Sequence, residues 1–378
     1  MIPIVSVFYF LSFLDRSNLG NARVAGLQEG LGLSDHQYSV ALTVTYIPYI
    51  MAELPANLYL KKIGPHIFLP TIVTIWGIVT TLQGFITSYS GLIATRFFLG
   101  LVEGGLFPGI VLYLSTFYTR RELQLRIALF FSAASLSGAF SGLLAYGLIR
   151  LDGVGGRPGW AWIFIVEGLF TVLGGIVGYF IIPATPTATR FLSARQKEII
   201  LKRLERDQPL TDIDEQFSWW EVWASLKSPH VLFNVAALFA SGTSLYSLAY
   251  FQPTSCLGYD SHQTQLMSVP PFAVAFVFML ASAYCSDRFQ ARGATTCGGA
   301  ILGVSRSLDS KSPIPSLKYA SLFLSVPGIY SIPPSVAAWL SNNSFGHYRK
   351  AVSIAVGFVS ANGGGILSTW VNLSHLVS

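Results

Sequence analysis

Half of this 378-residue chain is hydrophobic (52%) and only 11% is charged, which excludes an ordinary soluble domain, where about a quarter of residues carry charge. Mean hydropathy is +0.54, and the apolar runs are continuous over about 20 residues, the length that a hydrocarbon core of about 30 Å requires of a helix. Barrel strands would alternate instead. The net charge of +6 is scattered through short loops rather than gathered in a basic block with aromatics, so no nucleic-acid partner is expected.

The first apolar run, residues 2–21, leads straight into the rest of the chain and reads as an uncleaved signal anchor. It contains "FLDRSNLGNA", where Asp15 and Arg16 interrupt the apolar pattern. A helix ending at Phe13 would be only about 20 Å long at about 1.5 Å per residue. It therefore continues towards Asn21 and carries both charges into the membrane zone. Asp15 remains open to a second reading, as a helix-end residue at the outer surface.

Apolar segments follow at 38–60, 67–86, 91–118, 125–149 and 160–182. The segment at 91–118 contains "RFFLGLVEGG", with Arg96 and Glu103 seven residues apart on one helix face. A charge at mid-bilayer costs about 2.5–3.5 kcal/mol on insertion scales, so such residues face a bundle interior or water. Two roles stay open for the pair: a substrate or ion path, and an ion pair that only orders the helix. Glu53 and Glu167 are further intramembrane acids; Glu167 reads as structural and Glu53 is undecided.

Residues 183–229 form the one long polar stretch, with Arg190, Arg195, Lys197, Lys202, Arg203, Arg206 and Lys227, which marks it as cytoplasmic. Within it, "LSARQKEIILKRLERD" has the pattern of an amphipathic helix on the membrane surface, with Ser193 and Gln196 placed as a capping box. The turns holding Lys61, Lys62 and His66, then Arg120, Arg121 and Arg126, then Arg288 and Arg292 fall on the same side.

The later segments lie at 230–252, 266–285, 316–340 and 349–372. Between the second and third of these, "GATTCGGAILGVSRSLDSKSPIPS" has the length for another helix but an apolar core of only about a dozen residues, short for a span. "LKKIGPH" and "SDRFQARG", then "RRELQLRIA" and "GHYRKAVSIA", recur at nearly equal intervals in the two halves, as in a duplicated architecture. The expected organisation is an N-terminal helical half at 1–182, a linker at 183–229 and a C-terminal half at 230–378.

The six histidines form no metal-spaced cluster, no nucleophile–base set is present, and Cys256, Cys285 and Cys297 suggest no disulfide frame. Neither an enzyme nor a metal or cofactor is expected.

The pieces "FLDRSNLGNARVAGL", "AELPANLYLKKIGP", "RFFLGLVEGGLFPG", "GWAWIFIVEG", "LGYDSHQTQLMSVPPFAVAF", "SDRFQARG" and "AWLSNNSFGHYRKAVSIA" run in order over most of residues 8–365. In this order the chain resembles the major facilitator superfamily, and within it the anion:cation symporters of the fungal allantoate and nicotinate permease type. The resemblance implies an all-α membrane protein, two six-helix halves around a central cavity that opens alternately to each face. About eleven helices are visible here, the ninth degraded and the twelfth missing.

The resemblance also assigns roles. Arg16 and Arg96 match residues that bind a substrate carboxylate, Tyr49 matches a substrate-contacting tyrosine, and Asp15 and Glu103 match proton-carrying acids. A guanidinium fork suits carboxylate oxygens. Lys61, Lys62, Asp287 and Arg288 occupy the cytoplasmic signature loops that latch the halves. Lys61 stands where the family's pattern has an acid, so the latch falls to Asp287 or other partners. The fifth helix, "FFSAASLSGAFSG", lacks the Gly-Pro pattern of antiporters, which favours uptake.

The expected activity is proton-coupled import of a small organic anion such as nicotinate, allantoate or pantothenate, with the proton as coupling ion and the lipid bilayer as surroundings, by a monomer in the plasma membrane. The rival readings are a non-transporting nutrient sensor on the same fold and a non-functional truncated fragment.

Overall fold

The computed structural model describes residues 1–189, 192–207, 219–255, 261–289, 291–309, 315–344 and 347–377, and every regular element among them is a helix. The first half comprises α1 (Ile2–Val24), the single turn α2 (Leu27–Gly30), α3 (Asp35–Ile63), α4 (Pro65–Gln83), α5 (Tyr89–Glu103), α6 (Leu106–Ser115), α7 (Arg120–Leu148) and α8 (Gly159–Ile181). Next come α9 (Ala194–Asp207) and α10 (Trp219–Leu226). The second half comprises α11 (Pro229–Ser255), α12 (Ser261–Phe289), α13 (Arg292–Asp309), α14 (Pro315–Asn343) and α15 (His347–Val377).

Eight stretches among the described residues are long and apolar enough to cross a membrane, among them Pro65–Gln83, Tyr89–Ser115 and Val352–Trp370. The long helices α1 and α3 fall outside that group, and they turn their polar residues inward: Asp15, Asn18, Asn21 and Glu53 are all buried. The charges of "FLDRSN" therefore sit within a continuous helix, as its length requires.

The two halves repeat their internal pairings. α1 packs on α7 and α3 on α5; correspondingly, α11 packs on α15 and α12 on α14. Between the halves, α7 meets α12 and α14, α3 meets α15, and α1 meets α11. At the end remote from the basic linker, the Thr43 and Thr369 hydroxyls lie 3.2 Å apart and His36 packs edge-on to Trp370.

The apolar segment at 91–118 is not one uninterrupted helix. It breaks at Gly104–Gly105, between α5 and α6, where the chain passes close to α3. A Cβ on Gly100 would fall 2.0 Å from the Thr45 carbonyl oxygen, and one on Gly104 would fall 2.4 Å from that of Tyr49. Small residues four apart let two backbones approach in this way. The approach sets Glu103 against the cavity wall formed by α1 and α3.

The ninth segment is an 18-residue helix, α13, despite its short apolar core. Backbone contact on α14 accompanies it: a Cβ on Gly328 would lie 2.6 Å from the Gly299 carbonyl oxygen. Its counterpart in the first half, α4, closes in the same manner on α8, where a Cβ on Gly77 would lie 2.6 Å from the Val172 nitrogen. The opposite face of α13 exposes Ile301 and Val304.

The linker helix α9 begins as its sequence pattern requires. The Ser193 backbone N–H donates to Gln196 Oε1 at 2.9 Å, and the Gln196 N–H donates to Ser193 Oγ at 3.3 Å. Arg203 on α9 pairs with Glu122 in the first turn of α7, tying the linker to the first half.

Candidate functional site

Between the halves lies a space of about 30 Å³, lined by Tyr9, Phe13 and Arg16 of α1, Tyr49 of α3, Phe107 of α6 and Phe131 of α7. From the second half come Ser241, Tyr246 and their neighbours on α11, Pro333 of α14, and Phe358 and Asn362 of α15. Among the described lining residues Arg16 alone is charged. The rings of Phe107 and Phe358 face each other at 3.9 Å between centroids and join the two halves across this space. A space so small admits a water molecule or two.

Arg16 is the centre of the arrangement. Its Nε donates to Glu103 Oε1 at 3.1 Å, and Ser12 Oγ donates to the same oxygen. Its Nη1 donates to the Tyr246 hydroxyl, which in turn donates to Asn362 Oδ1 at 3.0 Å. The rings of Tyr49, Phe13 and Tyr246 stand 5.0, 5.4 and 5.5 Å from the guanidinium carbon, a cage of π faces that suits a partly desolvated cation. One side chain of the first half thus reaches the second half through a tyrosine and an asparagine. Glu53 is fully buried on α3, one turn beyond Tyr49.

Arg96 occupies a different place. It is buried but does not line the cavity; it lies behind α1, over the face of Phe164 at 5.8 Å. With the Gln83 amide oriented oxygen-first, that oxygen accepts from Arg96 Nε at 2.7 Å and Nη2 at 3.1 Å. Asp15 is its electrostatic partner. Asp15 Oδ2 accepts from Trp76 Nε1 at 2.7 Å and Thr80 Oγ1 at 2.8 Å, and Oδ1 accepts more distantly from Asn18 at 3.5 Å. All of these groups belong to the first half. Adjacent residues on an α-helix are turned by about 100° from each other, so Asp15 and Arg16 face different neighbours: Asp15 goes to Arg96 and Arg16 to Glu103.

The spacing of Arg96 and Glu103 does place both on buried faces of α5, yet seven residues also separate them by about 10 Å along the axis. That axial offset, together with the turn of α1, distributes the four charged residues into two systems. The structure brings Arg16, Tyr49 and Glu103 together and holds Arg96 and Asp15 apart from them. Glu167 lies near Asn18 and Asp15 in the enclosed system, and among the described residues neither of its carboxyl oxygens has a hydrogen-bond partner.

Of the loop residues, Lys62 at the end of α3 and Arg288 at the end of α12 are exposed. The side chains of Lys61 and Asp287 lie outside the described residues, as does Cys256. Cys285 and Cys297 are free thiols.

Tyr246, Asn362, Trp76, Thr80 and Gln83 were not singled out by the sequence. A tyrosine or threonine in an apolar helix is usually packing or backbone-bonded, and nothing local marks which will meet a charge from another helix.

The profile of the Major Facilitator Superfamily matches residues 5–369. The chain belongs to this superfamily. It is 38% identical over 372 residues to an uncharacterised transporter of Schizosaccharomyces pombe, covering 97% of this chain and 74% of that one. It is 30% identical over 375 residues to the high-affinity nicotinic acid transporter of Saccharomyces cerevisiae, covering 97% of this chain and 69% of that one. Among solved structures it resembles the proton:xylose symporter bound to 6-bromo-6-deoxy-D-glucose, with a TM-score of 0.73 at 13% identity over 99% of this chain and 88% of that one. It also resembles an inward-facing, unoccupied bacterial homologue of the human lysosomal transporter Spinster, with a TM-score of 0.72 at 16% identity over 98% and 81% of the two chains. These likenesses fix the fold. The superfamily protein described here is a multi-pass integral membrane transporter and not an enzyme.

Proposed function

We propose that this transporter carries a small monocarboxylate such as nicotinate, together with a proton, into the cell across the plasma membrane. The observation that carries the reading is Arg16, the sole charged group among the described cavity-lining residues, held by an aromatic cage and shared between both halves. A planar guanidinium in a mostly apolar chamber selects an anion with two oxygens in a plane. The surrounding rings suit a flat, partly apolar body attached to it. The identity to a nicotinic acid transporter supports that substrate class.

In the empty site Glu103 occupies Arg16. An incoming carboxylate competes for the same cation, and a proton taken up by Glu103 removes the competition and the excess negative charge. This is the coupling step we assign to Glu103. Tyr49 packs on the bound head group. Asp15 and Arg96 act behind it, as a charge pair that fixes α1 against α4 and α5, rather than as a second arm of a substrate clamp. The proton is the only coupling species required, and a monomer holds the whole site.

The test is uptake of labelled nicotinate into proteoliposomes with the outside made acid. Accumulation that collapses when the proton gradient is dissipated supports the reading; nicotinate flux indifferent to the gradient, or absent, overturns it.

A further inference from the structure

Six of the described residues around the central space carry polar side chains: Tyr9 and Arg16 on α1, Tyr49 on α3, Ser241 and Tyr246 on α11, and Asn362 on α15. Four of them are engaged with the protein. Arg16 donates to Glu103 and Tyr246, and the Tyr246 hydroxyl donates to Asn362. The Asn362 amide nitrogen donates to the Phe358 carbonyl oxygen at 2.9 Å, and Ser241 Oγ donates to that of Leu238 at 3.1 Å. The hydroxyls of Tyr9 and Tyr49 differ: among the described residues neither makes a hydrogen bond.

Tyr9 is 5% exposed, and its ring is fixed by those of Phe13, Phe107, Phe130 and Phe131, at 5.1, 5.2, 5.2 and 5.3 Å between centroids. Packing of this kind asks for an aromatic ring, which phenylalanine would supply without a polar atom to desolvate. Other buried tyrosines of the chain spend their hydroxyls on backbone: Tyr38 donates to the Leu19 carbonyl oxygen at 3.1 Å and Tyr113 to that of Pro183 at 3.0 Å. A buried donor without an acceptor is costly. The Tyr9 oxygen is not sealed by packing either, so it borders the central space. Tyr9 and Arg16 lie seven residues apart on one face of α1, about 10 Å along its axis. The ring of Tyr49 stacks on Arg16 at 5.0 Å and belongs to the guanidinium end. Tyr9 is therefore the unengaged donor at the other end of the space.

Resting on the monocarboxylate reading above, we infer that Tyr9 is a specificity-determining residue whose hydroxyl donates to a hydrogen-bond acceptor on the substrate, remote from the carboxylate. Arg16 holds the carboxylate, the rings of Phe13, Phe107 and Phe131 enclose the flat body, and Tyr9 reads its far edge. The substrate class narrows accordingly, to a planar monocarboxylate with an acceptor such as a pyridine nitrogen across the ring. A benzoate-like body of the same size and charge fills the same volume and leaves the Tyr9 hydroxyl without a partner. A site built to hydrogen-bond its substrate rejects an isostere that lacks the group, because the donor then stays buried and unpaired.

The experiment measures equilibrium binding of labelled nicotinate and labelled benzoate, which differ only by a ring nitrogen in place of a CH, to the purified full chain. Wild type should bind nicotinate about tenfold more tightly than benzoate. In Tyr9→Phe the ratio should fall to about one, through weaker nicotinate binding with benzoate binding kept. Tyr49→Phe, which removes the other unengaged hydroxyl, should leave the ratio as in wild type. A wild-type ratio near one overturns the inference, as does a ratio that survives in Tyr9→Phe or is lost in Tyr49→Phe instead. Tyr9→Phe deletes a hydroxyl that the fold does not use, so it should melt with wild type. Earlier melting, or loss of benzoate binding as well, would make that hydroxyl a structural partner and also overturns the inference. Wild type that binds neither compound overturns the monocarboxylate reading itself.

Discussion

Arg16 and Arg96 both belong to helices of the first half, each with an acidic partner, yet the bundle treats them differently. Arg16 spends its donors on Glu103 from its own half and Tyr246 from the other, and stacks on rings that border the central space. Arg96 finds Gln83, Phe164 and Asp15, all from its own half. Burial of a guanidinium is thus common to both, and what separates them is whether the partners come from both halves or from one.

The comparison breaks most decisively on transport. Arg16→Ala should lower nicotinate uptake by about 10- to 100-fold or more, the worth of a charge-assisted hydrogen bond, and it also strands buried Glu103. The double variant Arg16→Ala/Glu103→Gln leaves no unpaired charge there and should melt closer to wild type while still failing to take up nicotinate; normal uptake by it would remove Arg16 from the substrate. Arg96→Gln should do the reverse at first: it strands Asp15 in the interior, a loss of about 3–5 kcal/mol, seen as a lowered melting temperature and reduced membrane level. Wild-type stability with abolished uptake would return Arg96 to the substrate. Gly100→Leu forces α5 off α3 and disturbs both systems together; overpacking of this kind costs about 1–3 kcal/mol, read as a melting shift larger in substrate-free protein. Tyr246→Phe removes one neutral partner of Arg16 and should weaken nicotinate binding only several-fold, about 1 kcal/mol, by equilibrium titration.

The fold was legible in the sequence because a bilayer imposes a strict grammar. Continuous apolar runs gave the helices, and basic turns recurring on one side gave the order. The unusual run at 293–316 was harder: its hydropathy reads as too short, and α13 is completed by backbone contact between Gly299 and Gly328, which no hydropathy measure can register. The break after Glu103 escaped for the same reason, since it follows from how near the chain runs to Thr45 and Tyr49.

The site was legible in part. Charges stranded in apolar helices named Asp15, Arg16, Arg96 and Glu103, because the cost of burying them admits few explanations. The pairing was not legible. Spacing along α5 put Arg96 and Glu103 on one side, but depth in the bundle and the rotation of α1 separated their partners. Tyr246 and Asn362 carry no charge and so left no trace in composition.

By itself, the sequence determined that the chain lives in a membrane, how its helices follow one another, and which ionisable side chains are buried there. Solvation in lipid is a per-segment property, so it is written linearly. Only the tertiary structure decided that Arg16 lines the space between the halves while Arg96 lies among residues of its own half. Those facts depend on which faces of distant helices are turned towards each other, and a distance between helices is not a property of either helix alone.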